Sequence, residues 1–91
     1  MARVAFVTGG TRGIGKAIVQ RLHEDGFKVA AGYSGNDEAA KAIADALDVM
    51  VVKGNVGSFD DCARAVKEVE DQLGPIDILV NNAGITRDGF F

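Results

Sequence analysis

Eight consecutive residues near the N-terminus, Thr8 to Gly15, read Thr-Gly-Gly-Thr-Arg-Gly-Ile-Gly. They follow a short apolar run, Val4 to Thr8, and precede apolar residues at helical spacing, which predicts a turn from a strand into a helix. Glycines let the backbone turn sharply and approach a phosphate closely, while the N–H groups and positive dipole end of the helix favour an anion. The segment is therefore a candidate phosphate-binding turn. Its spacing, Gly-x-x-x-Gly-x-Gly, differs from the common Gly-x-Gly-x-x-Gly.

The same letters also fit the start of a P-loop, Gly-x-x-x-x-Gly-Lys, from Gly10 to Lys16. A P-loop places Ser or Thr directly after the lysine to hold Mg²⁺, whereas this chain has Ala17. No later predicted strand ends in the aspartate that would complete such a metal site, since the fourth ends in Asn81. A nucleotide hydrolase, and a glycine turn that serves packing alone, are the alternatives to a dinucleotide site.

The end of the second predicted strand lacks the acidic residue that holds the ribose 2'-hydroxyl in NAD-specific sites. Tyr33 and Ser34 stand there, so no carboxylate repels a 2'-phosphate. Arg12, inside the glycine turn, offers a cation for that phosphate. The sequence therefore predicts NADP rather than NAD. The alternative is that Arg12 is a solvent-facing loop residue.

Short apolar runs alternate with stretches of helical period along the chain, which predicts a parallel α/β sheet. We predict strands at 4–8, 28–33, 49–52 and 76–81, and helices that begin near Ile14, Glu38 and Phe59. Ser58 and Asp61 resemble a capping box for the third helix, and Gly74 with the following proline ends it. Right-handed crossovers then give a Rossmann-type doubly wound half-sheet of strand order 3-2-1-4, with two helices on one face and one on the other.

The length, charge and cysteine content of the chain limit the classes of function that it can have. Ninety-one residues, 47% hydrophobic and 25% charged, suit one globular domain at most. Ten basic against thirteen acidic residues give a net charge of -3, which is no basic surplus for nucleic acid. The first apolar run is too short for a signal peptide or a membrane span, and the single Cys62 cannot form an internal disulfide. We therefore expect a cytoplasmic protein with no membrane, nucleic-acid or metal partner.

Two motifs together, the glycine turn at 8–15 and Asn-Asn-Ala-Gly at 81–84, resemble the classical short-chain dehydrogenase/reductase family. In that family the first motif binds the cofactor pyrophosphate, and the second supports the sheet and lines the nicotinamide-ribose side. The resemblance covers 4–91 and implies a Rossmann-type, NADP-binding domain, here a single partial domain over 1–91. The cofactor-binding residues that it and the sequence pattern imply are Gly9, Thr11, Arg12, Gly13, Ile14, Gly15, Tyr33, Ser34, Asn36, Gly54, Asn55, Val56, Asn82, Ala83, Gly84, Ile85 and Thr86.

The segments 84–88 and 54–56 are more specifically similar to acetoacetyl-CoA reductases of polyhydroxybutyrate synthesis and to 3-oxoacyl-carrier-protein reductases. Many relatives carry Asp where this chain has Asn55, whose amide can pair with a base edge as both donor and acceptor. By analogy Val56 contacts adenine. Asp88 then lies near the substrate mouth, or is an exposed loop carboxylate. The resemblance implies a homo-tetrameric parent that acts on an acyl-CoA or acyl-carrier thioester.

The catalytic residues of that family, a serine and a Tyr-x-x-x-Lys motif, are not among these residues. Tyr33 is the single tyrosine, and Asp37 stands four residues after it. Ketone reduction needs a proton donor at the carbonyl oxygen, which in that family is the tyrosine. We expect the cofactor-binding N-terminal portion of an NADPH-dependent 3-oxoacyl-thioester reductase, or else a nucleotide-binding module without catalysis. His23 and Cys62 are interpreted as structural, with Cys62 buried in the core.

Overall fold

The computed structural model describes residues 3–9, 13–35, 37–54 and 58–81. Four strands alternate with three helices: β1 (Val4–Thr8), α1 (Gly13–Glu24), β2 (Lys28–Tyr33), α2 (Asp37–Leu47), β3 (Met50–Lys53), α3 (Phe59–Leu73) and β4 (Ile76–Asn81). The predicted bounds hold for three strands and α3, while β3 lies one residue later and α1 and α2 each begin one residue earlier. Among the described helices, none is long and apolar enough to cross a membrane.

The strands form one parallel sheet in the order β3-β2-β1-β4, as the sequence predicts. At the carboxyl ends of the strands the register aligns one residue from each strand, in the row Val52, Gly32, Thr8 and Asn81. The first crossovers run from β1 outward to β3, and the chain then returns to the other side of β1 with β4. The winding therefore reverses between β1 and β4, which is the topological switch point where α/β sheets bind ligands.

The sheet is covered on both faces, which explains why β1 is an unbroken apolar run, buried from Val4 to Val7. On the face of α1 and α2, Val7 packs in a cluster with Val19 and Ile43. On the face of α3, Phe6 packs in a second cluster with Val69. Two helices thus cover one face and one covers the other, which confirms the predicted arrangement.

The bounds of α3 follow from its end residues. The Ser58 hydroxyl accepts a hydrogen bond from the Asp61 N–H at 3.3 Å, which confirms the predicted cap. At the other end, Gly74 adopts a φ of 111°, a region that favours glycine, and donates its N–H to the Glu70 carbonyl at 3.0 Å. Arg64, midway along the helix, donates to the carbonyl of Lys53 at 2.6 Å and so fastens α3 to the end of β3.

The prediction that Cys62 is a buried core thiol is wrong. Ala65 and Val69 are the buried residues of α3, whereas Cys62, one turn nearer the N-terminus, is half-buried. Cys62 is more exposed than Val69 because the first turns of α3 border a cavity at the carboxyl edge of the sheet, whereas the later turns pack directly onto the sheet. His23 lies in the last turn of α1, near the negative dipole end, as interpreted from the sequence.

An irregularity in the pairing of β1 with β4 sets which face each β4 residue covers. Val4 pairs with Ile76 and Ala5 with Ile78, so Asp77 is an extra residue. The Asp77 Oδ2 atom accepts a hydrogen bond from the Val4 N–H at 2.9 Å. Because of this shift, Ile76 packs on the α3 face although Val80, four residues later, packs on the α1 face.

We predict that Asp77→Ala lowers the free energy of unfolding by about 1–3 kcal/mol, because it leaves the N–H of the buried Val4 without its acceptor. The matched control is Asp77→Asn, which keeps an oxygen acceptor of similar reach and should lose clearly less. Urea melts of the three chains measure the difference. Equal midpoints for Asp77→Ala and the unmodified chain would contradict the role assigned to this carboxylate.

Candidate functional site

A cavity of about 400 Å³ lies at the carboxyl edge of the sheet, on the α3 face. Phe6, Val52 and Leu79 from three strands line its floor. Cys62 and Ala65 belong to the wall that α3 contributes. The lining is thus largely apolar and drawn from elements far apart in the chain. Its volume lies within the roughly 300–1,000 Å³ typical of small-molecule sites.

The cavity brings together four of the residues that the sequence predicts for cofactor binding: Gly9, Tyr33, Ser34 and Gly54. Gly9 follows β1, Ser34 follows β2 and Gly54 follows β3, so the carboxyl ends of three parallel strands supply them. The Gly54 N–H donates to the Tyr33 carbonyl at 2.9 Å and extends the pairing of β2 with β3 to the rim. These separate segments of the chain therefore meet at one cavity.

The glycine turn has backbone geometry that favours glycine at its two described ends. Gly9 has φ 64° and Gly13 has φ 57°, both in the left-handed region that side chains disfavour. Helix α1 begins at Gly13, Gly15 is buried within it, and Ile14 is 75% exposed. The first turn of α1 carries no acidic residue. The described part of the turn thus suits an anion at the positive end of the helix.

The remaining predicted site residues lie outside the described residues: Thr11, Arg12, Asn36, Asn55, Val56, Asn82, Ala83, Gly84, Ile85, Thr86 and Asp88.

Thr8 joins β1 to β4 at the switch point. Its hydroxyl lies 3.3 Å from the Val80 carbonyl oxygen and 3.1 Å from Asn81 Oδ1. Thr8 and Asn81 both border the cavity. Sequence reasoning placed Thr8 at the end of the first strand and at the start of the glycine turn, but did not predict its contacts with β4. The available signal was that two polar residues end two strands that the predicted order makes neighbours.

The charges near the end of β2 can be described for residues 28–35, 37–54 and 58–81. Tyr33 and Ser34 are uncharged, and the next acidic residue, Asp37 at the start of α2, lies 3.2 Å from Lys53 Nζ. Asp61 is the acidic residue on the α3 wall of the cavity. In the part of the chain that is described, no three His, Cys, Asp or Glu side chains form a group that could hold a metal ion.

Sequence reasoning missed the apolar floor of the cavity. Phe6, Val52 and Leu79 were interpreted as strand residues for the core, and Phe6 is indeed only 4% exposed. Leu79, by contrast, is 59% exposed at the edge strand. A single sequence carries no signal that separates a cavity floor from a packed core, because both need apolar residues of the same alternation.

The family model described as short chain dehydrogenase matches residues 3–91. An acetoacetyl-CoA reductase of Paracoccus denitrificans is 55% identical over 91 residues, which are all of this chain and 38% of that protein. A 3-oxoacyl-(acyl-carrier-protein) reductase FabG of Staphylococcus aureus is 44% identical over 93 aligned positions, with 97% of this chain and 38% of that protein covered. The chain thus spans less than two fifths of the length of these curated relatives.

Solved structures agree with the sequence relatives. A blue fluorescent protein from a metagenomic library, in complex with NADPH, matches with a TM-score of 0.87 and 41% identity over 91% of this chain and 36% of that one. The F189W actinorhodin polyketide ketoreductase with NADPH matches with a TM-score of 0.84 and 32% identity, over 89% of this chain and 33% of that one. The two sequence motifs, the strand order and the residues that the family model matches all indicate the same family. The chain belongs to the short-chain dehydrogenase family.

Proposed function

We propose that this chain is the cofactor-binding N-terminal portion of an NADPH-dependent reductase of 3-oxoacyl thioesters, with acetoacetyl-CoA as the substrate of the whole protein. The observation that carries the proposal is the cavity at the switch point, where the glycine turn, the end of β2 and the end of β3 meet. The names of the relatives support the substrate class, since both reductases act on 3-oxoacyl thioesters by name.

The described residues fit the two ends of a dinucleotide's adenosine diphosphate half. Gly9 and Gly13 keep the turn free of side chains beside the N-terminus of α1, where N–H groups can meet the pyrophosphate. The apolar cavity next to it, with Phe6 and Val52 on its floor, offers a flat base a site out of water. The bound cofactor would supply the hydride, and these residues would hold and orient its adenosine end.

A 2'-phosphate fits this site better than a bare 2'-hydroxyl. Tyr33 and Ser34 carry no carboxylate, and the Asp37 carboxylate forms a solvent-exposed ion pair with Lys53. Asp61, the acidic residue that lines the described cavity, lies on the α3 wall. Arg12 in the glycine turn supplies a guanidinium that can bind a phosphate through two parallel hydrogen bonds. The two features together favour NADPH over NADH.

We predict that Arg12→Ala weakens NADPH binding by about 10- to 150-fold, the loss expected when a charge-assisted contact worth about 1.5–3 kcal/mol is removed, and leaves NADH nearly unchanged. The control variant is Arg21→Ala, because Arg21 lies on an exposed face of α1 and pairs with Asp25. Calorimetric titration of both cofactors measures the two affinities. Equal losses for NADPH and NADH would remove Arg12 from the 2'-phosphate, and Mg²⁺-dependent ATP binding would favour the P-loop alternative.

The half-buried Cys62 reports on occupancy of the cavity, because it lines the wall and is the chain's single cysteine. At NADPH ten times above its dissociation constant, we predict that Cys62 reacts with an aromatic disulfide reagent about 10-fold more slowly, in proportion to the free fraction. Nicotinamide mononucleotide, which lacks the adenine, should give no protection. An unchanged rate with NADPH demonstrably bound would place the base elsewhere.

The proposal separates binding from chemistry. A polypeptide of these 91 residues has no Tyr-x-x-x-Lys to protonate a carbonyl oxygen, and general acid catalysis contributes about 10²–10⁴ in rate. We predict that the 91-residue chain binds NADPH without oxidising it in the presence of acetoacetyl-CoA, followed at the nicotinamide absorbance. Steady oxidation that scales with the purified chain would contradict this.

The substrate part of the proposal is tested on a longer protein that contains this domain and the family's catalytic residues. Such a protein should reduce acetoacetyl-CoA with a higher kcat/KM than the corresponding acyl-carrier thioester. The reverse preference would favour a 3-oxoacyl-carrier-protein reductase, and NADPH binding with no reduction of either would favour a nucleotide-binding module.

A further inference from the structure

Gly32 has no side chain, and it lies in the row of aligned residues at the carboxyl ends of the four strands. It pairs with Thr8 of β1 and Val52 of β3, and all three line the cavity. Ala30, two residues earlier on the same strand, packs in the α3-side cluster, so position 32 faces the same side. A side chain at position 32 would therefore stand at the floor of the cavity.

The ring of Phe6 already occupies the space that such a side chain needs. A Cβ atom at position 32 would lie 3.1 Å from Phe6 Cε1, 3.4 Å from Phe6 Cζ and 3.5 Å from the Thr8 Cα. The first distance is tighter than nine in ten real Cβ contacts, so the ring would have to move by a few tenths of an ångström. Phe6 is otherwise packed in the α3-side cluster, and the free volume beside it is the cavity.

Backbone conformation does not explain the glycine. Among the described glycines, positive φ values occur at four positions, and Gly32 is not one of them. In a strand interior glycine is entropically unfavourable, and its presence there marks a close approach by another group. Here that group is the Phe6 ring.

This inference rests on the proposed function. We infer that Gly32 determines which ligands the site accepts, because the absence of a side chain at position 32 sets the depth of the cavity in which the adenine base would lie. With no side chain at position 32, the Phe6 ring lies back over β2 and the floor is low enough to admit a planar purine. Any larger residue at position 32 pushes the ring toward the cavity and narrows it, so the site loses affinity for the adenine half of the dinucleotide.

The test is the affinity of the chain for NADPH and for 2',5'-ADP, which carries the adenine end alone. Gly32→Ala should weaken both ligands by about 10-fold or more, the effect of one misplaced methyl group in an apolar pocket. Gly35→Ala adds the same methyl three residues later, where a Cβ would meet nothing within 4 Å, and should bind as the unmodified chain does. Equal losses in the two variants would overturn the inference.

A second variant separates the ring contact from a general effect on folding. Phe6→Leu removes the Cε1 and Cζ atoms that meet the added methyl, so the double variant Phe6→Leu with Gly32→Ala should bind 2',5'-ADP more tightly than Gly32→Ala alone. If Gly32→Ala does not fold, a double variant that folds and binds supports the inference, and one that also fails to fold overturns it. A folded double variant that binds no better than the single one also overturns it. No dinucleotide binding by the unmodified chain would instead refute the proposed function.

Discussion

The central constraint on this fold is that β1 is buried on both faces and paired on both edges. Its residues from Val4 to Val7 are buried; Val4 and Phe6 pack in the α3 cluster, and Val7 packs in the cluster of α1 and α2. Apolar burial is worth about 25 cal/mol per Å², so a strand enclosed in this way contributes strongly to holding the sheet and its helices together. The end of this strand fixes the position of the glycine turn and of the N-terminus of α1.

The carboxyl edge of the sheet is held by polar contacts that the two clusters do not supply. Thr8 links β1 to β4, and Gly54 extends the pairing of β3 with β2. Arg64 connects α3 to the carbonyl that ends β3 and also pairs with Glu68 at 2.6 Å. These contacts surround the cavity while its floor stays apolar. Polar contacts around the cavity hold its walls in place, so that no side chain has to occupy the cavity itself.

The sequence predicts the elements and their order well, because strand bounds coincide with apolar runs and helix ends coincide with strong local signals. The contact of Ser58 with Asp61 and the contact of Gly74 with Glu70 each join residues only three or four positions apart. A single sequence is therefore enough to locate these helix ends. Cys62 and Asp77 are different. The first lies on the apolar stripe of a helix yet faces a cavity, and the second is an acidic residue in a strand that resembles an ordinary solvent-facing position. Both depend on what lies opposite in space, which for Val4 and Asp77 is a residue 73 positions away in the chain.

The pairing of β1 with β4 also bears on the synthesis of the chain. The Thr8 hydroxyl meets an oxygen 72 residues further along the sequence, so one hydrogen-bonding edge of β1 stays open until β4 has left the ribosome. Contacts of such long sequence separation form slowly, because closing the intervening loop costs entropy before any pairing compensates it. Leu79 and Asn81, which border the cavity, are among the last described residues to be made. A nascent chain therefore contains its glycine turn well before β4 completes the cavity beside it.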